Sequence, residues 1–113
     1  VLAMANLRLN NTDEALRQVQ MAITLDPLNS EAHNLLGYIN EFKFSKVDQA
    51  EKEYRKALEL NRLNTRALVN LGQLLERHRE NYKEAEALYK EAIASDDDDA
   101  EAHIAGWARE LPK

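Results

Sequence analysis

The sequence predicts an all-α fold of repeated helix pairs, and three observations predict it. Turn formers are scarce, with 3 Gly and 2 Pro in 113 residues, whereas an all-β chain needs a turn about every eight to twelve residues. Apolar residues recur at helical rather than alternating spacing. The same small and aromatic residues return at intervals of 35, and fixed self-similarity is the mark of a repeat architecture.

The alignment extends over the chain. Ala15-Leu16, Ala50-Glu51 and Ala85-Glu86 stand at that interval, as do Ala22-Ile23, Ala57-Leu58 and Ala92-Ile93. So do Leu25 and Leu60, Asn29 and Asn64, Gly37 and Gly72, and Tyr54 and Tyr89. Each period holds two helical patterns. A remnant of a first helix is predicted over residues 1–9, and a second helix over 13–25. The first complete pair follows at 30–42 and 48–60. In the former, Ala32, Leu35, Leu36 and Ile39 share one face, and Ser30 is the predicted N-cap. In the latter, Ala50, Tyr54, Ala57 and Leu58 form the stripe, while Glu51, Lys52, Glu53, Arg55 and Lys56 fill most of the remainder. The pair recurs at 65–79 and 83–94. A final helix, 100–111, is stopped by Pro112.

Gly37 and Gly72 sit mid-helix, at a cost of about 1 kcal/mol each relative to Ala. A facing helix that leaves no room for a Cβ explains why both places accept it. Ala50, Ala57, Ala85 and Ala92 are the complementary small positions. Tyr54 and Tyr89 are expected to fill the space between one helix pair and the next.

These residues resemble the tetratricopeptide repeat, whose signature is Leu-Gly in the first helix, then Ala, an aromatic and Ala in the second, with Pro in the following turn. Leu36-Gly37 precedes Ala50, Tyr54 and Ala57; Leu71-Gly72 precedes Ala85, Tyr89 and Ala92; the partial first repeat offers Ala15, Val19, Ala22 and Pro27. The resemblance implies a right-handed superhelix of antiparallel helix pairs spanning residues 1–113 as one array. It comprises a partial repeat (1–29), two full repeats (30–64 and 65–99) and a terminal helix (100–113). The family's usual period is 34; the extra residue falls in the turn within each pair, near Phe44-Ser45 and Arg79-Glu80. Trp107 stands where the family has Gly, so Ile104, Trp107 and Leu111 are expected to form a cap over the preceding repeat. The 35-residue period also raises the RNA-binding pentatricopeptide relative, against which the Ala-aromatic-Ala pattern and the acid balance argue.

By the same resemblance, the first helices line a concave groove. Its expected partner-binding residues are Glu31, Asn34, Tyr38 and Glu41 from one repeat and Arg66, Val69, Asn70, Gln73 and Arg77 from the next, with Ile104 and Ala108 from the cap. Tyr38 and Val69 supply apolar contact that a purely solvated face would not need. Asn34, Asn70 and Gln73 are suited to hydrogen-bond the backbone of an extended segment. The carboxylate clamp of chaperone-binding members is not expected, because only Asn70 has the required type and Glu101 and Ala105 stand where cations are needed. Nor is an asparagine ladder, since Leu35 is equivalent to Asn70.

Composition narrows the function. The chain is 44% hydrophobic and 31% charged, with a net charge of −5, values of a folded domain rather than a disordered one. Without Cys, thiol catalysis and cysteine-ligated metals are excluded, and the acidic balance disfavours nucleic acid. The longest apolar run is 1–5, far short of the roughly 20 residues a membrane helix requires. The acidic run 96–99 lacks the spacing, Gly and terminal Glu of a calcium loop and reads as a solvated turn, with Asp99 capping the last helix. His33 and His103 read as packing residues. His78 lies between Arg77 and Arg79, and no His has the i, i+4 partner of a helical zinc pair.

No nucleophile–base set or phosphate loop is evident, and Ser30, Ser45 and Ser95 fall at helix ends or turns. The function that the resemblance implies is a non-enzymatic protein–protein interaction scaffold, expected to need no metal or cofactor. The alternatives are a structural or accessory subunit contacting through solenoid ends or convex face, and a regulatory segment of a larger enzyme. The pattern begins mid-element at Val1, so the chain reads as an excerpt of something longer. If Ala57 is a close-packed position, Ala57→Leu lowers stability by about 1–3 kcal/mol through overpacking, measured by thermal denaturation; an unchanged midpoint contradicts the packing.

Overall fold

A computed structural model describes residues 11–95. Among these residues there are five α-helices and no strands: α1 (Thr12–Leu25), α2 (Ser30–Phe42), α3 (Val47–Leu60), α4 (Thr65–His78) and α5 (Tyr82–Ala94). Each packs on its neighbours in sequence, and α2 also touches α4, which sets the first helices of successive repeats side by side. The predicted helices over 1–9 and 100–111, the acidic run 96–99, His103, and the cap residues Ile104, Trp107, Ala108 and Leu111 lie outside the described residues.

Asparagine starts four of the five helices. The side chains of Asn11, Asn29, Asn64 and Asn81 accept the backbone N–H three residues on, from Glu14, Ala32, Ala67 and Glu84, meeting one of the donors a helix start leaves open. Ser30 is thus the first helical residue and not the cap. Its hydroxyl donates instead to the Ala57 carbonyl at 2.7 Å and accepts from Asn64 Nδ2 at 2.9 Å, tying α2 to the exit of α3. The exception is α3, which starts at Lys46 with no side-chain cap.

The turns within each pair contain the only non-glycine residues at positive φ among those described, Ser45 (φ 54°) and Glu80 (φ 53°). They occupy the same place in successive repeats. Each turn is closed by an amide reaching back to the preceding helix, Lys46 to the Asn40 carbonyl at 2.7 Å and Asn81 to the Leu75 carbonyl at 3.0 Å.

Two clusters form the core. The smaller joins Ala15 and Val19 of α1 to Leu35 and Ile39 of α2, with Leu16, Ile23 and Leu36 at its margin. The larger runs from Ala50, Tyr54, Ala57 and Leu58 through Ala67, Leu68, Leu71, Leu74 and Leu75 to Ala85, Leu88, Tyr89 and Ala92. The tyrosines differ from expectation in where their rings lie. A Cβ on Gly37 would stand 2.7 Å from Tyr54 Cδ1 and 3.2 Å from the Ala50 carbonyl oxygen; one on Gly72 would stand 2.6 Å from Tyr89 Cε1. Each ring therefore occupies the notch of the glycine in its own pair, and not only the space between pairs. Periodicity marked the residues as core but does not carry the direction in which a long side chain leans.

Gly37→Ala and Gly72→Ala each set a propensity gain of about 1 kcal/mol against an overpacking cost of about 1–3 kcal/mol. Because the obstruction is a wholly buried ring, overpacking wins. Both substitutions lower the urea midpoint, whereas an increase would mean the ring is free to move away.

Candidate functional site

The first helices present one continuous polar wall. Arg66 Nη1 donates to Glu31 Oε2 at 2.9 Å, and Asn34 Nδ2 donates to Glu31 Oε1 at 2.9 Å. Asn70 Nδ2 then donates to Asn34 Oδ1 at 2.9 Å. About two turns further along both α2 and α4, Arg77 Nη2 reaches Glu41 Oε2 at 2.9 Å. These links cross from α2 to α4 and stitch the two repeats together. The amide pairing of Asn34 with Asn70 departs from the sequence reading, which compared Asn70 with Leu35; the side chains meet at a separation of 36 residues.

Three predicted groove residues are more enclosed than expected. Val69, at 4% exposed, belongs to the core, and Asn34 and Glu41 are buried at 2% and 6%. Glu41 is a junction: besides Arg77, it accepts the Tyr54 hydroxyl at 2.9 Å and faces His78 Nε2 at 3.3 Å. Burial pushes the Tyr54 hydroxyl well above the ordinary phenol range, and the neighbouring Glu41 carboxylate pushes it further. The phenol stays neutral and acts as donor. The family resemblance put Glu41 on the groove side, but its contact with Tyr54 crosses helices and has no sequence signal.

Tyr38, Asn70, Gln73, Arg66 and Arg77 keep some access to solvent. Tyr38 stacks obliquely on Phe42 with ring centroids 4.6 Å apart, and the Arg77 guanidinium lies 5.1 Å above the Phe42 ring. The two rings are 37% and 46% exposed. Phe42 was absent from the sequence-derived set, although its i, i+4 relation to Tyr38 was the signal available. Gln73 makes no side-chain hydrogen bond among the described residues. His33, expected to pack, bridges instead: Nδ1 meets Glu53 Oε1 at 2.7 Å and Nε2 the Pro27 carbonyl at 3.2 Å.

The second helices carry a different surface, laced by charge. Arg55 binds Glu84 through two nitrogens at 3.0 and 3.2 Å, and Arg62 binds Glu91 at 3.0 and 2.6 Å. The hydrogen bond to Glu84 raises Arg55 above the usual guanidinium range, and that to Arg62 lowers the exposed Glu91 below the usual carboxylate range. Such solvated pairs fix geometry more than they add stability. No group of three or more potential metal ligands occurs among the described residues, and none of the described helices is long and apolar enough to cross a membrane.

The family model of the tetratricopeptide repeat matches residues 1–41 and 40–100. The chain belongs to the tetratricopeptide repeat family. No curated protein matches it. Among solved structures, a protein studied as Pseudomonas aeruginosa pilF superposes with a TM-score of 0.73 at 32% identity, over 80% of this chain and 40% of that one. A MamA crystal structure superposes with a TM-score of 0.70 at 24% identity, over 88% of this chain and 57% of that one, and supports the fold alone. The tetratricopeptide array described here thus spans less than two thirds of either. The family is generally non-catalytic and serves as a helical scaffold for protein interaction.

The Glu41 junction yields an asymmetric prediction. Glu41→Ala leaves the buried Tyr54 hydroxyl without its acceptor and also removes the partner of Arg77, at about 3 kcal/mol, whereas Tyr54→Phe removes one bond to a carboxylate that keeps Arg77, at about 1.5 kcal/mol. Equilibrium urea unfolding of both variants checks the order; equal losses contradict it.

Proposed function

We propose that this tetratricopeptide array binds an extended segment of a partner protein along the wall formed by α2 and α4. The observation that carries this reading is the solvent-open aromatic pair Tyr38–Phe42, backed by Arg77 and neighboured by Asn70 and Gln73. Aromatic surface beside amide groups suits a peptide: the rings take up an apolar side chain, and Gln73 and the remaining capacity of Asn70 serve its backbone. Glu31, Asn34 and Glu41 act here as positioning residues, because their polar atoms are already engaged with Arg66, Asn70, Arg77 and Tyr54. Val69 contributes through the packing beneath the wall. The links between α2 and α4 hold the wall in shape before a partner arrives, which lowers the ordering cost of association.

A second reading rests on a separate observation. Leu25, Leu28 and Leu63 are 80%, 74% and 76% exposed; Leu25 ends α1, and Leu28 and Leu63 lie in the turns joining one repeat to the next. An accessory subunit that makes its contacts along this edge would use them.

Affinity capture with the intact protein distinguishes the two. Combined substitution of Tyr38, Asn70 and Gln73 by Ala abolishes recovery of the specific partner under the first reading. Retained recovery, with loss on changing Leu25, Leu28 and Leu63 to Ser, supports the edge and overturns the groove.

A further inference from the structure

The seams between successive second helices are built differently, and the difference leaves a cleft. Between α3 and α5, charge closes the seam: Arg55 spans to Glu84, Arg62 to Glu91, and Arg79 reaches Glu51 and Asp48. One repeat earlier, Gln20 and Gln49 stand in place of Arg55 and Glu84, and Leu16 and Phe44 in place of Glu51 and Arg79. There a cleft of about 310 Å³ opens among Leu16 and Gln20 of α1, Leu36 of α2, Phe44 of the turn and Lys46 and Gln49 at the start of α3. That volume is at the small end for ligand pockets and has room for one or two side chains.

The cleft is separate from the proposed groove. Leu36 is two residues from Tyr38, which at 3.6 residues per turn puts it on the far side of α2. Its lining carries one cation, Lys46, and one anion, Glu53. Glu53 on one wall is engaged by His33 at 2.7 Å. Lys46 makes no ion pair among the described residues, and its ammonium stands 5.7 Å over the Phe44 ring, itself 41% exposed. The amide end of α3, which has no side-chain cap, lies at the same mouth and adds positive potential beside Lys46.

We propose that this cleft between α1, α2 and α3 is a second docking surface for an acidic peptide segment, which inserts one aliphatic or aromatic side chain among Leu16, Leu36 and Phe44 and sets a neighbouring carboxylate on Lys46. Insertion removes apolar surface from water on both partners. The carboxylate gives Lys46 a charge-assisted bond of the kind that Arg79 makes at the α3–α5 seam. The pairing of an apolar anchor with an adjacent acid is what distinguishes the occupant from one held by charge or by burial alone.

Selection of random dodecapeptides displayed on phage against the whole chain tests this. The expected result is a class of peptides joining a large apolar residue to a nearby Asp or Glu. Its affinity falls about tenfold or more in Lys46→Gln, which removes one charge-assisted bond, and is unchanged in Tyr38→Ala. The combined variant Leu16→Glu, Gln20→Arg, Phe44→Arg and Gln49→Glu transplants the closed seam and abolishes binding of that class, while circular dichroism reports its helix content. Lys46→Gln is a surface change, so the test stands even if the combined variant fails to fold. Selected peptides that respond only to Tyr38→Ala, basic peptides, or binding indifferent to Lys46→Gln overturn the proposal without touching the groove reading.

Discussion

Both full repeats in this array depend on one steric fit, a buried tyrosine ring seated in the notch of a mid-helix glycine on its partner helix. The ring cannot enter unless the first helix lacks a Cβ there, and the second helix cannot approach unless its own stripe is built of alanines. The loss of helix propensity at Gly37 and Gly72 is thereby offset by close packing. Because the fit recurs in successive pairs, it fixes the geometry within each pair independently of what joins one pair to the next.

The joints between pairs are made by two kinds of chemistry on two sides. The first helices are linked by amide and charge-assisted bonds, including the buried Glu41 that also holds the Tyr54 hydroxyl. Their wall is therefore coupled to the core: the acid that orients Arg77 beside Phe42 is the acid that anchors the ring over Gly37. The second helices are linked by exposed ion pairs between α3 and α5, whereas α1 and α3 leave a cleft between them. A repeat protein of nearly regular backbone thus presents chemically unequal surfaces.

Much of the fold was legible because it is local. A hydrophobic stripe at helical spacing belongs to a single helix, so the helix bounds predicted at 30–42 and 83–94 lie within a residue of those observed. The internal repeat extended the same evidence from one pair to the next. The parts that escaped involve contacts between helices. Ser30 reads as a cap because its type allows it, whereas Asn29, one residue earlier, has the geometry, and the recurrence of Asn at 29 and 64 is its sign in the sequence. Tyr54 was recognised as core, but its lean toward Gly37 depends on the position of the opposite helix. Asn34 and Glu41 look like surface on a helical wheel and are buried by Asn70, Arg77 and Tyr54, residues 13 to 36 positions away. Phe42 needed only its spacing from Tyr38 to join the candidate set.

The most direct measurement of the central fit is a proton NOE spectrum of the protein with assigned glycine and tyrosine resonances. Strong cross-peaks from the Gly37 Hα protons to the Tyr54 ring, and from the Gly72 Hα protons to the Tyr89 ring, are the expected result. Glycine protons without ring contacts, or with contacts only to a tyrosine of the adjacent pair, would contradict the fit on which the stacking rests.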